Sequence, residues 1–317
     1  MKKRIISVML ATVFALSVIG CGTKDTKEQD AYRQYGITCM ESGKYEDAVK
    51  EFQNALGESI GHIGEKELDI CFYKAKAQAL DGKTKDALAT YDAIIKYNKD
   101  ARAYYLRGDL YMDMGEEKKG KADFESAVQH GKKNYEIYIG IYESLSRHEK
   151  KDEGQKYLSA AMEIKGDKPE DELYKGRISY LLGENKDAIS YLEKAKEHKQ
   201  MLASYYLGLA YDANGDSDKA KKCIAEYIKS GVATSYDLYE LGMQEMQDGN
   251  YKNALTYFNS GLELEKVPNK QNLMKSAIAA YEYSGDFDSA KKMMKEYLKA
   301  YPDDEEAKHE NTFLETR

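Results

Sequence analysis

The side chains of this 317-residue chain that could do acid–base, nucleophilic or metal chemistry are four cysteines, five histidines and 55 carboxylates. The histidines, His62, His130, His148, His198 and His309, are scattered, mostly among turn-forming residues. None stands four residues from another, the spacing that puts two imidazoles on one helix face for zinc. There is no His-Glu-x-x-His, no glycine-rich phosphate loop ending in Gly-Lys, and no Gly-x-Ser-x-Gly nucleophile turn. Carboxylates spread along charged helical surfaces are solvated by default. Nothing here assembles a catalytic constellation, so the reading is of a protein that is not an enzyme and that carries no metal and no cofactor.

The cysteines divide into two kinds. Cys39, Cys71 and Cys223 each fall inside a helix-length segment, and their spacing forms neither a Cys-x-x-Cys metal motif nor a disulfide framework. They read as small apolar packing residues, with a Cys39–Cys71 bridge as the other arrangement open. Cys21 has a different setting. Lys2-Lys3-Arg4 is a basic start, Ile5 to Ile19 is apolar except for Ser7, Thr12 and Ser17, and the run ends Val18-Ile19-Gly20-Cys21. An apolar run of about 15 residues is short for a bilayer span and suits a cleaved signal.

That ending resembles the lipobox of bacterial lipoproteins. The resemblance implies a signal peptide at 1–20, diacylglyceryl transfer to the Cys21 thiol, and cleavage before it. A plain secretory signal or an uncleaved anchor are the alternatives. Two or more acyl chains anchor stably, and one does so marginally. Residues 21–28 then form a polar tether reaching at most about 25 Å, which would hold the folded part near the cell membrane or outer membrane on its extracytoplasmic side. Formal net charge is −7 before the three basic residues of the signal are lost. A body this acidic argues against nucleic acid as a partner.

From Gly36 to Ile278, a pattern recurs eight times at intervals of about 35 residues, the period of a helical repeat. A small residue (Gly36, Ala75, Gly108, Gly140, Gly176, Gly208, Gly242; Ile278 in the last copy) is followed, usually twelve positions on, by Ala or Gly. An apolar residue follows one helical turn later, as in Ala48-x3-Phe52, Gly120-x3-Phe124 and Ala254-x3-Phe258. Small residues at both positions let two antiparallel helices approach closely. Five residues before the second small residue stands a turn glycine in seven copies: Gly43, Gly82, Gly115, Gly183, Gly215, Gly249 and Gly285. Such a glycine closes a helix C-terminus in the left-handed conformation. Pro169, Pro268 and Pro302 fall between copies.

The pattern resembles the tetratricopeptide repeat, most clearly in Leu207-Gly208-x2-Tyr211-x3-Gly215-x4-Ala220 and in Tyr281-x3-Gly285-x-Phe287-x2-Ala290-x11-Pro302. The resemblance implies an all-α fold, a right-handed superhelical solenoid of about eight helix pairs. It places a repeat domain at 29–302, with repeats starting near 29, 68, 101, 133, 169, 201, 235 and 271, and a capping helix at 303–317. It also implies that first helices line a groove for protein or peptide partners. Counting from each first small residue, offsets of −6, −3, +1 and +4 place Arg102, Tyr105, Arg177, Tyr205, Tyr239 and Met243 in that groove. Aromatic residues, Met and Arg are enriched at interfaces, although half-wet tyrosines are also ordinary in stacked helices. The Lys at −3 and Asn at +1 that this family uses to clamp a chaperone C-terminus do not occur together here.

Two irregularities stand out. Gly57 to Gly64 is an extra glycine-rich stretch between the first two copies. In the fourth copy Gly140 and Gly154 are fourteen apart, and the turn from Ser146 to Lys151 has no glycine. The expectation is a membrane-anchored bacterial lipoprotein that acts as an interaction scaffold. The alternative is an envelope ligand sensor or accessory binding a secreted peptide or cell-wall fragment.

Overall fold

Helix punctuation is written locally in this chain, and the computed structural model follows it. The structure describes residues 27–59, 63–166 and 168–316. The signal segment 1–20, Cys21 and most of the tether lie outside the described residues, as does His62. Among the described residues there are seventeen helices and no strand. None of these helices is long and apolar enough to cross a membrane.

The helices form pairs: α1 Lys27–Glu41 with α2 Tyr45–Gly57, α3 Glu65–Leu80 with α4 Thr84–Asn98, α5 Ala101–Asp113 with α6 Glu117–His130, and α7 Tyr135–Arg147 with α8 Lys151–Met162. The series continues as α9 Pro169–Leu182 with α10 Asn185–Glu197, α11 Leu202–Ala213 with α12 Ser217–Lys229, α13 Ser235–Gln247 with α14 Tyr251–Leu262, and α15 Lys270–Ser284 with α16 Phe287–Ala300; α17 Glu305–Leu314 ends it. The pairs begin at Lys27, Glu65, Ala101, Tyr135, Pro169, Leu202, Ser235 and Lys270, and α1 begins inside the segment expected to be tether. Pro169 opens α9, where its missing N–H is not needed. Caps are explicit. The Asp100 carboxylate accepts from Arg102 N and Ala103 N at 2.8 and 3.2 Å, and Thr234 and Asp237 cap each other's backbone N–H reciprocally at 3.2 and 2.8 Å.

The expected single array divides between Val232 and Ala233 into two compact units. The boundary follows Gly231, which sits at φ +75°. The first unit holds α1–α12 and the second holds α13–α17. In both, the paired small residues form the seam. A Cβ on Gly108 would stand 2.9 Å from the Gly120 carbonyl oxygen, and one on Gly242 would stand 2.3 Å from the Phe258 ring. Phe52, Phe124, Leu158, Leu192 and Phe258 of the even-numbered helices are wholly buried. In the second unit α17 covers the last pair: Ala307 and Leu314 join Met274, Ile278, Met294 and Tyr297 in one cluster.

The fourth pair corrects two expectations. The seven turn glycines have φ between +72° and +84°, and Glu149 takes the same place at +62°. Lys150 N donates to the Leu145 carbonyl at 2.8 Å, matching the Lys44 N to Cys39 bond of the first turn. The turn is therefore the common one, made without glycine. Gly140 is not the seam residue: a Cβ there would stand 2.6 Å from the ring of Tyr105, on the preceding odd-numbered helix. Tyr142 holds the seam position, twelve before Gly154, and a Cβ on Gly154 would stand 3.2 Å from Tyr142 Cα. The small residue has moved to the second helix, so the pair still packs closely. Cys39, Cys71 and Cys223 are free thiols, so the Cys39–Cys71 bridge is not formed.

Glu67, a buried residue, bonds both Ser59, ahead of α3, and Gly64, at its start. Its carboxylate accepts from Gln29 Nε2 at 3.0 Å, Ser59 Oγ at 2.9 Å and Gly64 N at 2.8 Å. Burial alone would raise this carboxyl, but those donors pull it down to about 2.

Candidate interaction face

The odd-numbered helices carry every residue expected to meet a partner, and each unit presents its own set. In the first unit the face is crossed by ion pairs linking neighbouring odd helices. Arg33 of α1 reaches Asp69 of α3 at 2.6 Å. Arg147 of α7 bonds Asp109 of α5 and lies 3.5 Å from Asp113. Arg177 of α9 lies 3.0 Å from Glu143 and 3.3 Å from Glu136 of α7. Arg177 is 8 % exposed and its guanidinium also sits 5.4 Å from the Tyr206 ring centroid. Burial works against its charge, but Tyr206 and the two glutamates hold it firmly protonated.

Arg102 differs. Its side chain is exposed, with Cζ 3.5 Å from the centroid of Phe72 on α3. At that separation the cation rests on the ring face.

The tyrosines serve the packing as well as the surface. Tyr105 is half-buried, its ring 6.3 Å from Phe124. Burial raises its phenol well above the ordinary range. Tyr205 packs at 5.1 Å against Tyr206 and at 5.3 Å against Tyr227. In the second unit Tyr239 lies 6.2 Å from Phe258, and Met243 Sδ lies 3.6 Å from Ser276 Oγ. Phe72 with Tyr91 repeats the arrangement in the second pair, at 6.4 Å. A ring three residues before the seam thus leans on the second helix of its own pair; Tyr105, Tyr205 and Tyr239 stay half-buried, whereas Phe72 is buried.

Sequence reasoning missed the network of Asp109, Asp113, Arg147 and His148. A ligand atom from each of Asp109, Asp113 and His148 lies within 4.8 Å of the others. His148 Nε2 is 3.2 Å from Asp113. Arg147 already supplies positive charge here. Burial pushes Asp109 above its usual range against the pull of Arg147. Part of the signal was present in the sequence: counted from Tyr142, not Gly140, the −6 and +1 offsets fall on Glu136 and Glu143, whereas Asp113 and Arg147 stand one residue beyond the +4 offset of their helices.

These helix pairs, seven of the eight joined by glycine turns, define an all-α helical-repeat protein. Three segments match the tetratricopeptide repeat directly, at 101–129, 202–230 and 271–304. A comparison with curated proteins returned no match. Among solved structures, the chain is similar to a tetratricopeptide repeat protein from Parabacteroides merdae, with 12 % identity, 80 % of this chain and 99 % of that one covered, and a TM-score of 0.47. It is also similar to PilW, a type IV pilus biogenesis factor, with 18 % identity over 66 % and 97 % of the two chains and a TM-score of 0.44. A third is the APC/C hetero-tetramer Cut9–Hcn1, with 15 % identity over 90 % and 55 % and a TM-score of 0.44.

Proposed function

We propose that this chain is a membrane-anchored bacterial lipoprotein whose odd-helix faces, in each of its two units, hold protein partners, and that it is a scaffold and not a catalyst. The observation that carries this reading is the repeat itself. Helix pairs and the capping helix use nearly all residues after the signal-like segment, which leaves surface as the working part. Arg102, Tyr105, Tyr205, Tyr239 and Met243 offer rigid aromatic, flexible apolar and cationic contacts, the residue types that dominate interface energetics. Arg177 contributes by tying α7 to α9.

The lipid on Cys21 supplies attachment on the extracytoplasmic side of the cell membrane or outer membrane, since an acidic body gains little from anionic lipid. Fractionation of a Cys21→Ser variant tests the anchor. The variant should move to the soluble fraction with unchanged helical circular dichroism, and full retention on membranes would exclude lipid attachment through Cys21.

A further inference from the structure

Five arginines lie among the described residues. Arg33, Arg107, Arg147 and Arg177 each reach a carboxylate. In a chain with an excess of acids, Arg102 alone among them does not. Its bonded neighbours are the Phe72 ring and, through its backbone N–H, Asp100. A guanidinium resting on an aromatic face keeps its N–H donors in the plane of the group, at its edge, pre-oriented for a carboxylate.

Lys76 stands one helical turn beyond Phe72 on α3, on the same face. It is half-buried, and among the described residues its ammonium has no carboxylate or other hydrogen-bond partner. Burial accordingly holds it below the usual lysine range. The acids nearest in register are committed elsewhere, Asp69 to Arg33 and Asp109 to Arg147. The face of α3 and α5 thus presents two uncompensated cations around Phe72, between ion pairs that are closed on either side.

We propose that this face binds an acidic peptide segment, whose carboxylates pair with Arg102, held in place on the buried Phe72 ring, and with Lys76. This rests on the reading of the odd-helix face as a partner groove and names the chemistry of what it takes. The recognition uses a stacked arginine from one repeat and a half-buried lysine from the previous one, and it applies to side-chain carboxylates.

The test is fluorescence anisotropy on the full chain with two labelled peptides of equal length, one alternating Glu and Leu and one alternating Lys and Leu. The acidic peptide should bind and the basic one should not, and binding should weaken as salt rises. Arg102→Gln and Lys76→Met should each weaken the acidic peptide by about tenfold or more, the loss expected for a charge-assisted contact. Lys186→Ala, on α10, should leave it unchanged. Circular dichroism and melting temperature establish that each variant is folded. Should Lys76→Met fail that check, Arg102→Gln decides alone.

Equal binding of both peptides, or no effect of the two substitutions beyond that of Lys186→Ala, would overturn the proposal. So would binding of phosphatidylglycerol vesicles that depends on Arg102 in the absence of peptide binding. None of these outcomes touches the broader scaffold reading, which is tested by crosslinking to native partners. That reading fails only if those crosslinks fail too.

Discussion

Arg177 of α9 and Glu143 of α7 join two neighbouring odd-numbered helices, Nη2 to carboxylate at 3.0 Å, with Glu136 on the other branch of the guanidinium. The arginine is buried, whereas the two glutamate side chains remain 44 % and 35 % exposed. The acids therefore keep water when the arginine is removed, and the loss falls short of that for a fully buried pair. Arg177→Ala should cost about 1–3 kcal/mol, much of it packing of the side-chain stem against Tyr206. Urea unfolding followed by circular dichroism reads this as a lower midpoint. An unchanged midpoint would mean that the pair does not tie the repeats together.

The hydrogen bonds at Glu67 make a prediction about acid. Its carboxyl is held near 2 when folded and lies near 4.5 otherwise. A carboxyl depressed in the folded state stabilises that state at pH values above its unfolded value. The contribution fades as pH falls from about 4.5 toward 2. Glu67→Gln should lower the melting temperature at neutral pH, by an amount corresponding to about 2 kcal/mol. The gap between variant and parent should close as the pH approaches 2. A gap that is constant with pH would show that the loss is one of shape, not charge.

Glu149 offers a stabilising change. It holds the left-handed conformation that glycine holds in the other seven turns, which costs a residue with a Cβ about 1 kcal/mol. Glu149→Gly should raise stability by about that amount, less what the more flexible unfolded chain takes back. Thermal melting checks the sign. A fall would show that contacts of the Glu149 side chain outweigh the backbone strain.

At the other end, Asp304 caps α17 through Ala307 N at 3.1 Å and also receives Tyr297 Oη and, at 2.7 Å, Lys275 Nζ. Asp304→Ala should fray the capping helix at a cost of about 1–2 kcal/mol. Hydrogen exchange should quicken in 305–314 while α13 and α14 remain protected. Uniform protection throughout would contradict the role of this carboxylate as the cap's lock.

The helix pairs were legible because their determinants are local: small residues twelve apart, an apolar residue one turn on, glycine at the turn. Where one determinant moved, the reading slipped. Gly140 looked like the seam residue because it is small, yet its glycine makes room for the Tyr105 ring on another helix. Tyr142 is tolerated in the seam because Gly154 yields the space opposite. That two-residue slip hid the pairing of Glu136 and Glu143 with Arg177. The division between Val232 and Ala233 was likewise invisible in a pattern whose period continues unbroken through it. The expected face residues lie on odd-numbered helices, but what each touches depends on side chains of the second helix in its own pair or, as for Arg102, of a neighbouring pair. Only the folded pairs show that Tyr105, Tyr205 and Tyr239 lean on their packing partners and that Arg102 stands on Phe72.

The central claim is that partners are held on the odd-helix faces. A photocrosslinking residue placed at Arg102 or Tyr239, with Lys186 and Lys252 on even-numbered helices as controls, tests it in the native cell. The expected result is discrete protein adducts from Arg102 and Tyr239 and none from the controls. Equal adducts from both faces, or adducts from the odd face only with glycan or small peptides, would contradict it.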